Sequence, residues 1–232
     1  MLLQRLAENL RMQNWKTVAI ELFVLTSGVF LGLQAENWNQ DRKDRAEAQA
    51  YIERLSNDFT VIRDSTRSVI EELDGEIKAL AVLSRLAEGN REKTDEEYTE
   101  LMQEIAYYTI PPSRAASYID ILESNKLGLL DDRSLIDLLI RCDNNIQGFW
   151  FSHEIRKRME FETGQTYFNL FLDSEGLSFR EALERTNPES DAFRRALVMG
   201  RLVRLSEKAD FGGILECSTE ILDNLATRAD RD

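Results

Sequence analysis

The sequence predicts an all-α fold in which an N-terminal transmembrane helix continues into a long helix and then into an antiparallel helical bundle. Three observations lead to this prediction. One apolar run occupies residues 18–33, only three prolines and eleven glycines interrupt 232 residues, and no stretch alternates like a strand. The expected domains are an amphipathic helix at 1–14, a transmembrane helix at 15–38 and an acidic helical bundle at 39–232.

The apolar run at 18–33 is the basis for the transmembrane prediction. Its sixteen residues carry one formal charge, Glu21, and they cover about 24 Å at 1.5 Å per residue. Extension to both flanks reaches the roughly 30 Å of a hydrocarbon core. Trp15 and Trp38 stand at the ends, where indole rings favour the interface, and Lys16 is the third expected anchor. A signal peptide is the competing interpretation, but the run is long and no small-x-small cleavage site follows it.

One face of this helix carries small residues at helical spacing, which predicts self-association. Small side chains let two backbones approach closely, and close packing drives helix association in lipid. On the same face, Glu21 can stay near the headgroups or pair with Lys16 of its own or a neighbouring chain, and a proton or ion role is the alternative. The expected association face comprises Thr17, Glu21, Gly28, Gly32 and Ala35.

Charge limits the partners and the location. The formal net charge is −13, and the first 38 residues contribute three bases and three acids, so the excess belongs to the rest. An acidic domain is repelled by phosphate backbones, so nucleic acid is not an expected partner. Three bases precede the span and three follow it. The free amino terminus then favours a cytoplasmic N-terminus and a periplasmic domain, on a bacterial inner membrane.

The two cysteines, Cys142 and Cys217, leave two interpretations open. In an oxidising compartment they could form a disulfide, and otherwise they could be small, buried apolar residues. No C-x-x-C motif is present, so the sequence gives no sign of a redox-active pair.

The long helix is expected to continue past Trp38 to a first break at Gly89 and Asn90. Apolar residues recur at a spacing near 3.5 between residues 52 and 73, with Thr66 at one position, which predicts a coiled-coil or bundle seam. Before the span, residues 2–13 place leucines on one face and charges on the other, which predicts a short amphipathic helix that either lies on the headgroups or packs as an ordinary helix.

Local start signals predict four more helices, separated from one another by short connectors and by a main loop region at 173–190. The expected first residues or caps are Thr94, in a capping box with Glu97, then Ser113, Asp131 or Asp132, and Asp191. The first three of these helices should end near 108, 124 and 172. The expected core positions of the last two helices are Leu135, Leu139, Cys142, Ile146, Trp150, Phe193, Leu197, Leu202, Leu205, Ile214, Ile221 and Leu225.

The sequence offers no catalytic, cofactor-binding or metal-binding motif. His153 is the only histidine, so a two-histidine metal site within one chain is excluded, and nucleotide-binding loops and nucleophile elbows are absent. We therefore expect no cofactor and no enzyme. One aromatic group is either core or a ligand or partner patch: Phe149, Trp150, Phe151, Tyr167, Phe168 and Phe171.

Three stretches resemble a bacterial family of uncharacterised single-pass membrane proteins. They are NWKTVAIELFVLTSGVFLGLQAENWNQDR, YIERLSNDF and YIDILESNKLGLLDDRSLIDLL. The family has an early span that ends in a Leu-Gln…Asn-Trp-Asn signature and a helical domain with a Leu-x-x-x-Gly-x-Leu turn. In this chain Gly128 is displaced from the expected position in that turn. The resemblance implies a membrane location and a helical architecture, and it transfers no functional residue.

These observations together predict a non-enzymatic, membrane-anchored scaffold or accessory subunit. It would self-associate as a homo-oligomer or join other membrane-protein subunits, in contact with membrane lipid. The alternative is a periplasmic module that binds a small ligand in its bundle and signals through the membrane helix.

Overall fold

The computed structural model describes residues 15–90, 92–105, 109–172 and 191–229, and it gives only the backbone at 15–19, 103–104, 159–172, 192 and 229. The predicted all-α class is confirmed, because the regular structure in these ranges is entirely helical. The chain forms two compact units, residues 1–50 and 51–232. The predicted helix at 1–14 and the predicted loop at 173–190 lie outside the described residues.

Five α-helices and one short 3-10 helix make up the described chain. The α-helices are α1 (Trp15–Ala87), α2 (Asp95–Glu104), α3 (Ala116–Glu123), α4 (Arg133–Leu172) and α5 (Asp191–Ala229), and the 3-10 helix is Leu127–Leu130. The described part of the first unit is residues 15–50 of α1. The second unit contains the rest of α1 and all the other helices.

The second unit has two hydrophobic clusters along its length. The larger cluster is formed by α1, α3, α4, α5 and the 3-10 helix, and it includes Leu55, Phe59, Leu139 and Ile221. The smaller cluster joins the end of α1 to α2 and the start of α5: Leu80, Leu83, Leu86, Ala87, Tyr98, Met102, Phe193 and Leu197. The predicted seam of α1 is therefore correct, and Thr66 is buried in it as expected.

Helices α4 and α5 run antiparallel. Cys142 of α4 bonds to Cys217 of α5, whereas Arg156, farther along α4, donates to the hydroxyl of Ser206, which comes earlier on α5. The two helices therefore run in opposite directions. The antiparallel part of the predicted bundle is thus present.

Several local predictions are correct. Helix α1 ends at Ala87, and Gly89 has the left-handed backbone (φ 87°) that suits glycine at a helix end. The capping box of α2 forms: the Glu97 N–H donates to Thr94 Oγ1 at 3.3 Å, and the Thr94 N–H donates to Glu97 Oε2 at 2.8 Å. Asp132 caps α4 by accepting from the Leu135 N–H at 3.0 Å.

The predicted cap at Ser113 is wrong. Helix α3 begins at Ala116, and its N-cap Ala115 supplies no side-chain acceptor. The acceptor comes from α1 instead, because Asp58 Oδ2 receives the Ser117 N–H at 2.8 Å and the Ser117 hydroxyl at 2.7 Å. A carboxylate that is distant in sequence therefore satisfies the helix start and ties α3 to α1.

Three expected core residues are exposed. Leu202, Leu205 and Trp150 keep 55%, 43% and 39% of their surface accessible. In this part of α5 the core-facing positions are Arg204 and Glu207. Leu202 and Leu205 therefore lie on the opposite side of the helix, although their spacing predicted a core position. Trp150 lies between the buried and the exposed side of α4, and its indole N–H donates to the Pro112 carbonyl at 3.0 Å.

Candidate functional site

The first candidate site is an apolar surface that surrounds α1 between residues 20 and 33. Phe23 is 73% exposed and Phe30 is 59% exposed, and their neighbours are exposed to a similar extent. Because residues 22–25 are four consecutive apolar side chains, they point to all sides of the helix rather than to one stripe. We call this the apolar girdle of α1: Ile20, Leu22, Phe23, Val24, Leu25, Val29, Phe30, Leu31 and Leu33.

Three residues of the predicted association face, Glu21, Gly28 and Gly32, lie on the same segment of α1 as the girdle. Glu21, Gly28, Gly32 and Ala35 are exposed, and a Cβ atom built on either glycine meets no atom within 4 Å. A second backbone could therefore approach this face without obstruction from the described chain. The side chains of Thr17, Trp15 and Lys16 are outside the described part, whereas Trp38 is exposed as an interface anchor requires.

The structure places one limit on the membrane prediction. Within the residues that it describes, no helix contains an apolar window long enough to cross a bilayer.

Two described members of the aromatic group predicted as a ligand or partner patch lie on opposite sides of α4. Phe149 is buried and packs edge-on against Phe211 with ring centroids 4.5 Å apart, whereas Phe151 is exposed on the other side of α4. The side chains of Tyr167, Phe168 and Phe171 lie outside the described residues. The ligand-sensing interpretation therefore stays a prediction.

A second candidate site, which the sequence analysis missed, is a layer of buried charges between the two hydrophobic clusters. It is formed where α1, α4 and α5 meet, after Leu73 and before Leu80 on α1. We call it the polar layer: Glu76, His153, Arg156, Arg204 and Glu207, all buried, with the half-buried Asp210 at its edge. One signal was available, because Glu76 occupies a seam position between two core leucines.

Arg204 is the centre of this layer. Its Nε lies 2.5 Å from Glu76 Oε2, and its Nη1 lies 2.7 Å from Glu207 Oε2, so one guanidinium bridges α1 and α5. On the other side, Arg156 Nη1 lies 2.8 Å from Asp210 Oδ2, and the guanidinium stacks over the Phe149 ring at 5.0 Å. The pairs join three helices through directional contacts that an apolar layer would lack.

His153 faces Glu207 within the layer. Its Nδ1 lies 3.9 Å from Glu207 Oε1, too far for a hydrogen bond, and both atoms are buried without a hydrogen-bond partner in the described structure. Burial lowers the pKa of the His153 imidazole below its ordinary value, and attraction to Glu207 opposes this shift only in part. The imidazole is therefore neutral at neutral pH.

Cys142 and Cys217 form a disulfide, which decides between the two interpretations left open by the sequence. The bond joins α4 to α5 with Cα atoms 5.4 Å apart, and both residues are buried in the larger cluster. Because it lies inside the core and is shielded from solvent thiols, its role is structural rather than redox-active.

Other possible sites are shallow or acidic. An open cavity of about 570 Å³ lies between the start of α4 and the end of α5 and is lined mostly by polar side chains, among them Asp131, Asp223 and Arg228. Among the residues described, no group of three or more His, Cys, Asp or Glu side chains is placed to hold a metal ion.

Comparison of the whole chain with protein-family models, with curated proteins and with solved structures finds no match. The apolar girdle, the polar layer and the buried disulfide are therefore the features from which a function is inferred.

Proposed function

We propose that the protein is a non-enzymatic, membrane-anchored helical scaffold or accessory subunit that self-associates or joins a larger membrane complex. The observation that carries the proposal is the apolar girdle of α1, which exposes nine large apolar side chains. Full burial of one such side chain is worth about 1.5–3 kcal/mol, and these nine are about two-thirds exposed. Covering the exposed part of all nine would therefore contribute roughly 9–17 kcal/mol. Monomeric water-soluble proteins rarely expose so large a contiguous apolar surface.

The distribution of the girdle supports lipid as its cover. A single partner protein buries one face of a helix, whereas this helix is apolar on every side over residues 22–25. Lipid chains cover all sides at once. Val18 and Ala19, which extend the apolar run ahead of Ile20, and the exposed Trp38 that follows it are consistent with a single transmembrane helix in a bacterial inner membrane.

The disulfide supports the orientation. Disulfides form and persist in oxidising compartments and are rare in the cytosol. The Cys142–Cys217 bond in the core of the second unit thus favours a periplasmic domain and a cytoplasmic N-terminus. The disulfide is independent of the balance of basic residues around the span, which by itself is nearly even.

Self-association is assigned to the small-residue face of the girdle. Gly28 and Gly32 are four residues apart on one side of α1 and leave the backbone open. In lipid, an exposed G-x-x-x-G face gains van der Waals contact and Cα–H hydrogen bonds when a second helix packs on it.

The proposal is tested with Gly28→Leu combined with Gly32→Leu in the full chain. We expect the wild-type protein to resist extraction from membranes by alkaline carbonate and to run as an oligomer in mild detergent, and the double variant to shift toward the monomer. The matched control is Thr26→Leu combined with Phe30→Leu, which has the same spacing on the opposite face and should leave the oligomer intact.

Two results would overturn the proposal. Carbonate release of intact wild-type chain would remove the membrane anchor. An oligomer that survives the glycine substitutions but is lost in the control would place the contact on the other face of α1.

A further inference from the structure

The outer side of α5 carries an apolar stripe that does not enter the core. Val198, Leu202 and Leu205 follow the i, i+4, i+7 spacing of one helix face, and each is more than two-fifths exposed. The opposite side of the same segment provides Leu197 and Arg204 to the interior. The stripe is therefore a second exposed apolar surface, in a unit separate from the girdle.

A second exposed apolar pair lies on α4, and its Ile155 is level with Leu205 of the α5 stripe. Phe151 and Ile155 are one helical turn apart, and both are more than half exposed. The hydroxyl of Ser152 bonds to Asp210 at 3.3 Å and Arg156 bonds to Ser206 at 3.2 Å, which holds α4 and α5 side by side here. Both stripes face away from the core, and their levels overlap at Ile155 and Leu205.

Basic residues border both stripes. Residues 192–206 contain four arginines and no acid, in a chain whose net charge is −13. Arg204 points inward to the polar layer, whereas Arg195 and Arg201 are exposed on opposite edges of the α5 stripe. On α4, Lys157, Arg158 and Glu154 are exposed.

The exposed bases at this border lack ion pairs within the part of the chain that the structure describes. Lys157, Arg158, Arg195 and Arg201 form no ion pair with any other residue that the structure describes, although ion pairs are common elsewhere on this surface. Arg194 is partly engaged, because its Nε donates to the Ala87 carbonyl at 3.0 Å. An unpaired basic border around apolar side chains is complementary to a surface that is apolar beneath an anionic layer.

We propose that this outer face of α4 and α5 docks on an anionic phospholipid surface. The defining residues are Phe151, Ile155, Arg158, Arg195, Val198, Arg201, Leu202 and Leu205. The inference is independent of how the girdle of α1 is covered, because it rests on the side chains of the second unit alone.

A bilayer surface fits this face better than a partner helix. The apolar side chains can enter the boundary between headgroups and acyl chains while the long arginine side chains reach past them to the phosphates. Arginines stand on both edges of the α5 stripe, and a planar anionic surface offers phosphates to both edges at once. Each arginine near an anionic surface strengthens binding about fivefold, so Arg158, Arg195 and Arg201 together account for about a hundredfold preference over a neutral surface.

The test uses the full chain held in nanodiscs of phosphatidylcholine, so that the girdle is covered by neutral lipid. These are mixed with large liposomes of phosphatidylcholine alone or with one-third phosphatidylglycerol, and the liposomes are sedimented. We expect co-sedimentation with the anionic liposomes only, weakening as salt is raised. Arg195→Glu combined with Arg201→Glu should weaken it by about 25-fold or more, and Leu202→Ser combined with Leu205→Ser should weaken it at every salt concentration.

The matched control is Arg67→Glu combined with Arg133→Glu, which makes the same change in net charge at exposed arginines outside this face. Equal binding to neutral and anionic liposomes, or equal loss in the control, would overturn the proposal. It would also be overturned if the Arg195 and Arg201 substitutions left liposome binding unchanged but altered the oligomer, because the face would then be a contact between proteins. Circular dichroism of each variant verifies that the bundle is folded.

Discussion

Reduction of the Cys142–Cys217 disulfide should destabilise the helical domain strongly. The bond closes a loop with a sequence separation of 75 residues, in which the unfolded chain loses conformational freedom while the folded chain loses none. The chain-entropy relation for a loop of this length gives about 4.5 kcal/mol at room temperature. Since many domains have a total free energy of unfolding of 5–15 kcal/mol, this is a large share.

The full chain is unfolded by urea in detergent, and the loss of helix is monitored by circular dichroism. The experiment is done with the disulfide intact and after it has been reduced in the unfolded state by a small-molecule thiol. We expect the free energy of unfolding to fall by about 2–5 kcal/mol on reduction. Cys142→Ala combined with Cys217→Ala should lose at least as much, because removing two buried sulfur atoms also leaves a gap in the larger cluster. The reduced wild-type protein is therefore the cleaner comparison.

A loss below about 1 kcal/mol would refute the reasoning, since it would mean that the bond does not constrain the unfolded ensemble. A parallel measurement tests the compartment. When cells are lysed directly into denaturant, Cys142 and Cys217 should resist alkylation unless a reductant is added first. Free thiols in freshly prepared protein would contradict both the structural role and the proposed periplasmic location.

Two further predictions concern the polar layer. Arg204→Met should lower the free energy of unfolding by about 3–5 kcal/mol, because it leaves Glu76 and Glu207 buried without their cation. Replacing all three residues by Met and Leu should restore most of that loss. Calorimetry or urea unfolding measures both variants, and equal losses in the two would contradict this explanation. Stability should also fall as the pH drops below about 6.5, because the unfolded state gains a proton at its ordinary histidine pKa while the buried His153 resists it down to its lower pKa. His153→Gln should flatten this part of the stability profile, and a profile identical to wild type would show that another group is responsible.

The sequence by itself determined the helical class and most of the element boundaries. Those signals are local: the capping box at Thr94, the left-handed turn at Gly89 and the scarcity of breakers each act within a few residues. It also identified the apolar run of α1, whose exposed girdle supports the proposed membrane anchor.

Tertiary structure decided the features that depend on residues distant in sequence. Asp58, not Ser113, provides the acceptor at the start of α3, since α1 passes beside it. The pairing of Cys142 with Cys217 required the antiparallel register of α4 and α5. The polar layer arose in the same way: a buried arginine is stable only where carboxylates from other turns and helices meet it, and only packing brings Glu76, Arg204 and Glu207 together. Because α5 presents Arg204 and Glu207 to the core, Leu202 and Leu205 on the opposite side of the helix face outward.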